Sequence, residues 1–128
     1  KQFFHQTLLT MADTFEKARN AVVEMLDSGL VPDGVFAVND LTAIGAMQTI
    51  QKRGYKIPDQ ISIVGFSDGR FSGITDPNLS SVDQHGYEMG TTAAEMLFNR
   101  ILSDETEYIP EIKVLNADLI IRGSSVKE

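Results

Sequence analysis

The sequence predicts an α/β fold in which helices flank a parallel sheet, and the pattern of three segments supports this. Residues 34–38 and 61–66 are short apolar runs of the kind found in strands buried on both faces. Between them, residues 41–53 carry apolar side chains at helical spacing, and Gly54 stands where a helix would end. A strand, helix, strand order with short loops is typical of a right-handed unit with parallel strands.

The other elements follow from the same signals. Residues 13–28 predict a helix, with Asp13 and Glu16 spaced as a capping box and Gly29 as the stop. Further along the chain we expect a loop, a short strand, a helix and a last strand, over residues 67–78, 79–82, 87–102 and 118–121. The first dozen residues have no clear period and predict an extended lead-in.

Composition excludes several classes of function. The 128 residues have a net charge of −7, and their Lys and Arg residues are scattered, so the chain is not expected to bind DNA by itself. There is no cysteine, and the only histidines, His5 and His85, lack the spacing of metal ligands, so no metal or cofactor is predicted. No run approaches the roughly 20 apolar residues that cross a bilayer.

Polar and aromatic side chains follow both predicted strands, and they are the candidate ligand-binding residues. Asn39 and Asp40 follow the first strand, whereas Phe66, Ser67 and Asp68 end or follow the second. Ligands of open α/β sheets bind at the carboxyl ends of parallel strands. Amide and carboxylate groups hydrogen-bond to sugar hydroxyls while an aromatic face packs on the ring. For Asp40, a helix-capping role is about equally expected.

An enzyme is the less favoured interpretation. Ser67 and Asp68 with His85 or His5 are the residues from which a catalytic triad would have to be built. The nucleophile-elbow pattern is absent around Ser67, and the chain order has no triad signature. We therefore predict no catalytic residues.

Four ordered motifs resemble those of the LacI/GalR-type bacterial transcription regulators. Residues 32–46, PDGVFAVND followed by AIGA, resemble the family's "pdaifa-ND-xxAiGa", and residues 54–66, GYKIPDQISIVGF, are similar to its "G-x-x-VPeDisvvGFD". Residues 77–84, PNLSSVDQ, resemble "PpLTTvxQ", and residues 119–124, LIIRGS, resemble "LiiRgSt". Four motifs in order over residues 14–124 are far more specific than any single dipeptide.

The resemblance implies the C-terminal part of an effector-binding module with the fold of the periplasmic sugar-binding proteins. Residues 1–128 would supply most of the second lobe of a type I fold, which would be incomplete. The helix at about 85–102 would normally pack on a first lobe outside this chain. The resemblance further implies a cytoplasmic homodimer that senses a carbohydrate-like small molecule, contacts operator DNA only through an N-terminal head outside this chain, and does not contact a membrane.

The family's site residues carry over by position. Asn39 matches a cleft-facing amide, Phe66 the aromatic position beside the ligand, and Gln84 the crossover into the cleft. Ser67 departs from the pattern, because the family usually has an Asp there, and Asp68 is the alternative acceptor. The family's dimer surface matches the predicted interface residues Ile44, Gln48, Lys52, Phe71 and Ile74.

Three other functions remain open on the sequence. A periplasmic sugar-binding protein shares the fold but serves transport, and an upstream signal peptide would favour it. An α/β enzyme would need Ser67 and His85 to converge. A dimerisation lobe that binds no ligand is the third. The departures at Ser67 and at Gly86, where some members of the family have an aromatic residue, favour it slightly.

Overall fold

The computed structural model describes residues 14–103 and 109–126, which form a layered α/β lobe with one projecting helix. The predicted elements are confirmed, and their bounds agree to about two residues. In chain order the helices and strands are α1 Phe15–Asp27, β1 Gly34–Phe36, α2 Asp40–Lys52, β2 Ser62–Phe66, β3 Ser80–Asp83, α3 Gly86–Leu102 and β4 Asp118–Ile120, with a 3₁₀ turn at Ser72–Ile74 between β2 and β3.

The strands form one sheet in the order β1-β2-β3-β4. β1 pairs with β2, and β2 with β3, in parallel, which confirms the strand, helix, strand unit. β4 runs antiparallel to β3 and places Asp118 opposite Asp83. The sequence did not predict this direction. The direction of β4 depends on the path of the residues between α3 and β4, which no local pattern specifies.

The core lies between the sheet and two helices. α1 packs on α2, and α2 packs on β2, which buries the apolar faces of all three elements. Gly45 lets the two helices approach closely, since a Cβ there would lie 2.5 Å from the carbonyl oxygen of Phe15. Among the described residues, the largest aliphatic side chains that are fully buried are those of Ile50, Ile61, Ile63 and Leu79.

The expectation that residues 34–38 are buried on both faces is wrong. β1 ends at Phe36, and the side chains of Phe36 and Val38 are 64% and 62% exposed. The reason is that successive side chains point to opposite faces of the sheet: Val35 and Ala37 face the core, whereas Phe36 and Val38 lie on the face that α1 and α2 do not cover. Phe36 meets Phe66 edge to face, with ring centroids 6.5 Å apart.

The predicted caps also need correction. Asp13 lies outside the described residues, and α1 is capped by Thr14, whose hydroxyl accepts from the backbone N–H of Lys17 at 3.3 Å. α2 is capped by Asn39, and Asp40 is its first residue. The predicted lead-in also lies outside the described residues.

α3 stands apart from the core. None of its residues, all of which are described, is buried. Its exposed apolar side chains include Tyr87, Leu97, Phe98, Ile101 and Leu102. Within the described ranges, no helix combines the length and the apolar character needed to cross a membrane.

Replacing Gly45 by alanine should destabilise the protein by about 1–3 kcal/mol, because the added methyl group must push α1 away from α2. Chemical denaturation followed by circular dichroism measures this change. Gly73→Ala is the control, since a Cβ there meets no atom within 4 Å. Equal stability of the two variants would contradict the proposed close approach.

Candidate functional site

Three polar residues follow the carboxyl ends of the parallel strands, at the same edge of the sheet. Asn39 follows β1, Ser67 follows β2 and Gln84 follows β3. The Gln84 amide nitrogen donates to the Ser67 hydroxyl at 3.4 Å, which joins the ends of two neighbouring strands. The sequence predicted these three residues, and the parallel pairing brings them to the same edge.

Asn39 uses one end of its side-chain amide to cap α2. Its Oδ1 accepts from the backbone N–H of Thr42 at 2.9 Å, which caps α2. The cap uses only the carbonyl end of the amide, so the Nδ2 donors are not consumed by it. The residue is half-buried at the sheet edge.

The backbone after β2 is strained. Ser67 has φ of 106° and Asp68 has φ of 44°, a region that non-glycine residues rarely adopt. Two bonds hold this turn, since Ser67 N donates to the carbonyl of Val82 at 2.8 Å and Asp68 N donates to the Ser81 hydroxyl at 3.1 Å. Backbone strain of this kind costs on the order of 1–3 kcal/mol and is concentrated at functional sites.

Asp40 is buried inside the lobe, with 7% of its surface exposed. Its Oδ1 accepts from the Ser81 hydroxyl at 2.6 Å, and its Oδ2 accepts from the Gly69 N–H at 2.6 Å and the Ser72 hydroxyl at 2.8 Å. A Cβ on Gly65 would collide with this carboxylate. The capping role expected for Asp40 is wrong, because Asn39 supplies the cap of α2. The ligand-binding role of Asp40 stays a prediction, and both of its oxygens are engaged by internal donors.

Asp68 is paired within the lobe. Both of its oxygens accept from the Arg122 guanidinium, at 2.6 and 3.1 Å, and the two side chains are only 16% and 24% exposed. Arg122 also donates to the carbonyl of Leu79 at 2.8 Å. The hydrogen bond with Asp68 raises the pKa of Arg122. A carboxylate held in this way is a poor substitute for the acceptor that Ser67 lacks.

Phe66 and Gln84 line an open cavity of about 660 Å³. Its opposite walls come from α3, including Met89 and Met96, and from the extended residues 111–117. The cavity therefore touches two of the predicted ligand-binding residues and lies where the chain leaves and re-enters the lobe.

A second groove, of about 420 Å³, lies between α2 and the loop at residues 71–76, and we call it the α2 groove. Four of the five predicted interface residues line it: Ile44, Gln48, Phe71 and Ile74. Lys52 is exposed on α2 but does not line the groove. Gln51 closes one end by donating to the carbonyl of Asp76 at 2.8 Å.

The residues of the alternative triad do not converge. The His85 ring nitrogens lie near Asp118 and Asp83, whereas the Ser67 hydroxyl accepts from Gln84. His5 lies outside the described residues. Asp68 contacts Arg122 rather than a histidine.

Sequence reasoning missed the partners that hold the site in place. Arg122 and Ser81 stand in quoted motifs, but no spacing in the sequence indicates that they pair with Asp68 and Asp40. The same is true of Ser124, whose hydroxyl donates to the Ile63 carbonyl at 2.6 Å and accepts from Ser80 N at 2.8 Å. All these bonds join residues 29 or more positions apart.

The Asp40→Asn variant should be less stable by roughly 2–4 kcal/mol, because the amide NH₂ is a donor and three internal donors would compete for one oxygen. Urea denaturation measures the loss. Asp59→Asn, at an exposed position, provides the matched control and should change stability by less than about 0.5 kcal/mol. A loss at Asp40 no larger than the control's would show that the carboxylate does not organise the loop.

Comparison with known proteins agrees with this geometry. The model of the periplasmic binding protein-like domain matches residues 3–125. The HTH-type transcriptional regulator GalR of Streptococcus thermophilus is 37% identical over 107 residues, which cover 80% of this chain and 32% of that protein. The chain spans about a third of the length of the curated relatives it matches.

Two solved structures with bound sugars share the fold. The transcriptional regulator CelR in complex with cellobiose has a TM-score of 0.81 and 31% identity, over 88% of this chain and 34% of that one. A LacI family regulator from Enterococcus faecium with bound ribose has a TM-score of 0.80 and 31% identity, over 92% and 42% of the two chains. These relatives are transcription regulators, so the transport alternative is not favoured. The chain belongs to the periplasmic binding protein-like domain family, in the form found in LacI-type transcription regulators.

Proposed function

We propose that this chain is the effector-sensing and dimerisation part of a LacI-type transcription regulator that responds to a sugar or sugar derivative. The observation that carries the proposal is the position of Asn39, Ser67 and Gln84 at one edge of the sheet, where Phe66 ends β2 and Gln84 donates to Ser67. That edge is where ligands of open α/β sheets bind. The relatives with cellobiose and ribose support a carbohydrate effector.

The chemistry of the edge favours a neutral ligand. Amide and hydroxyl groups both donate and accept, as sugar hydroxyls require. Of the two nearby carboxylates, Asp40 is engaged by Gly69, Ser72 and Ser81, and Asp68 by Arg122. The lobe therefore offers neutral side chains where relatives of this type usually present an Asp at the Ser67 position.

A homodimer formed through the α2 groove is the second part of the proposal. Leu41, Phe71 and Ile74 are 55%, 50% and 75% exposed there, and apolar surface concentrated in this way is typical of a protein contact. Lys52, at the end of α2, would lie at the rim of the contact rather than at its centre. The lac repressor dimer bound to operator shares the fold.

We propose that the intact regulator binds DNA through an N-terminal head that lies outside this chain. The chain carries a net charge of −7, which opposes direct contact with phosphates. An effector bound between two lobes would favour the closed arrangement through its differential affinity, and closure would alter how DNA-binding heads are held. We place the intact regulator in the cytoplasm, with no membrane contact and no enzymatic activity.

The Asn39→Ser variant should weaken effector binding about tenfold in the intact protein while leaving its stability nearly unchanged. A serine hydroxyl still caps α2, but the amide donors are lost. Calorimetric titration with a panel that includes ribose and cellobiose measures the affinity. Asn20→Ala, which removes an exposed amide on α1, is the matched control. If no sugar of the panel bound the folded wild-type protein, the carbohydrate assignment would fall.

The Ile74→Asp variant should weaken dimerisation by about a hundredfold, because a charge would be buried in an apolar contact at a cost of roughly 2–3 kcal/mol. Sedimentation equilibrium of the intact protein measures the constant. Val31→Asp serves as the control, since Val31 is exposed but lies outside the groove. An unchanged dimer with Ile74→Asp would exclude the α2 groove as the interface.

A further inference from the structure

His85 occupies the point at which the chain leaves the lobe. It lies between β3 and α3 in a left-handed conformation, with φ of 51° and ψ of 53°. Its Nε2 lies 2.9 Å from Oδ2 of Asp118, and its Nδ1 lies 3.4 Å from Oδ2 of Asp83. Its backbone N–H donates to the other oxygen of Asp83 at 2.8 Å.

The two carboxylates belong to different crossing segments. Asp83 is the last residue of β3, where the chain departs into α3, and Asp118 is the first residue of β4, where it returns. They are the terminal pair of the antiparallel ladder. Beyond them the described chain diverges into α3 and residues 109–117, and α3 buries none of its residues. A contact at His85 therefore joins the segments where their backbone pairing ends.

The strength of this contact depends on a proton. An imidazolium donates a hydrogen bond to Asp118 and forms an ion pair with Asp83. A neutral ring carries no charge, so it loses the ion pairs and keeps at most the hydrogen bond to Asp118. Glu88, in the first turn of α3, adds a third negative charge nearby. The hydrogen bond to Asp118 raises the pKa of His85 above its ordinary value of 6.5, with smaller support from the charges of Asp83, Asp118 and Glu88 and against a desolvation effect.

The direction of the pH dependence follows from this shift. Because the folded pKa is raised, the stabilisation is fully present below pH 6.5 and is lost as the pH rises through the folded pKa. The pH range in which the stabilisation is lost therefore begins at about 6.5 and lies where histidine commonly acts as a switching group.

We propose that His85 is a proton-dependent clamp that holds the departing and returning segments together and so regulates the cavity between them. Phe66 and Gln84 line that cavity, and its other walls are α3 and residues 111–117, the two parts that diverge from the clamp. Gln84 immediately precedes His85 in the chain and donates a hydrogen bond to Ser67. A shift of His85 would therefore displace Gln84, which lies at the candidate effector edge. The consequence for effector binding rests on the proposed function, but the clamp itself does not.

The clamp is tested by a histidine titration in the intact protein, labelled with ¹³C at histidine Cε1. The His85 resonance is assigned by its absence in His85→Gln. The expected midpoint lies above 6.5 in the wild type, falls in Asp118→Asn, and stays unchanged in Asp59→Asn, whose carboxylate is exposed and distant in sequence. A wild-type midpoint at or below 6.5, or the same midpoint in Asp118→Asn, would overturn the proposal.

A second measurement tests whether the clamp controls the segments. Hydrogen exchange, corrected for the intrinsic pH dependence, is compared at about pH 5.5 and about pH 8.5, on either side of the histidine range. Peptides covering residues 84–92 and 112–120 should lose protection severalfold at the higher pH in the wild type and show no pH difference in His85→Gln. Equal pH dependence in the two proteins would show that the proton does not act through His85. Neither experiment needs a sugar, so failure of the effector assignment is seen separately, in the calorimetry.

Discussion

The structure of this lobe depends on one buried carboxylate at the start of α2. Asp40 accepts from the hydroxyls of Ser72 and Ser81 and from the N–H of Gly69, and so ties the helix to the loop after β2 and to β3. A buried charge is tolerated only when donors surround it, and here they do. The loop would otherwise have little to hold it, since its residues are mostly exposed and include two in the left-handed region.

The candidate effector edge and the α2 groove both depend on this arrangement. Ser67 and Asp68 begin the loop beside the edge, and Phe71 and Ile74, further along the loop, line the groove. Between them, Gly69 and Ser72 contact the same carboxylate. The two surfaces are thus supported by one set of hydrogen bonds, which explains how a short and polar loop can present both of them in a defined position.

The other half of the support comes from the end of the chain. Arg122 neutralises Asp68 and bonds to the Leu79 carbonyl, while Ser124 bridges β2 and β3 by accepting from Ser80 and donating to Ile63. The return through β4 is what brings this segment to the start of β3 and to β2, where the N–H of Ile63 donates to the Ser124 carbonyl. His85 stands at the start of the same excursion, so the crossing region contains both a permanent ion pair and one that depends on pH.

The sequence by itself determined the elements, the parallel unit, and the residues at the carboxyl edge, because periodicity, turn residues and strand ends are local properties of the chain. Asn39 and Ser67 could be placed at one edge from the predicted pair of parallel strands, whereas Gln84 was indicated only by the family resemblance, and the parallel pairing of β3 puts it at that edge. The tertiary structure decided what each side chain does there. Asp40 and Asp68 match the composition of a sugar site, yet their oxygens are engaged by residues 29 to 54 positions away, and no local pattern encodes such pairs. The exposure of β1, the direction of β4 and the clamp at His85 likewise arise only where distant segments meet.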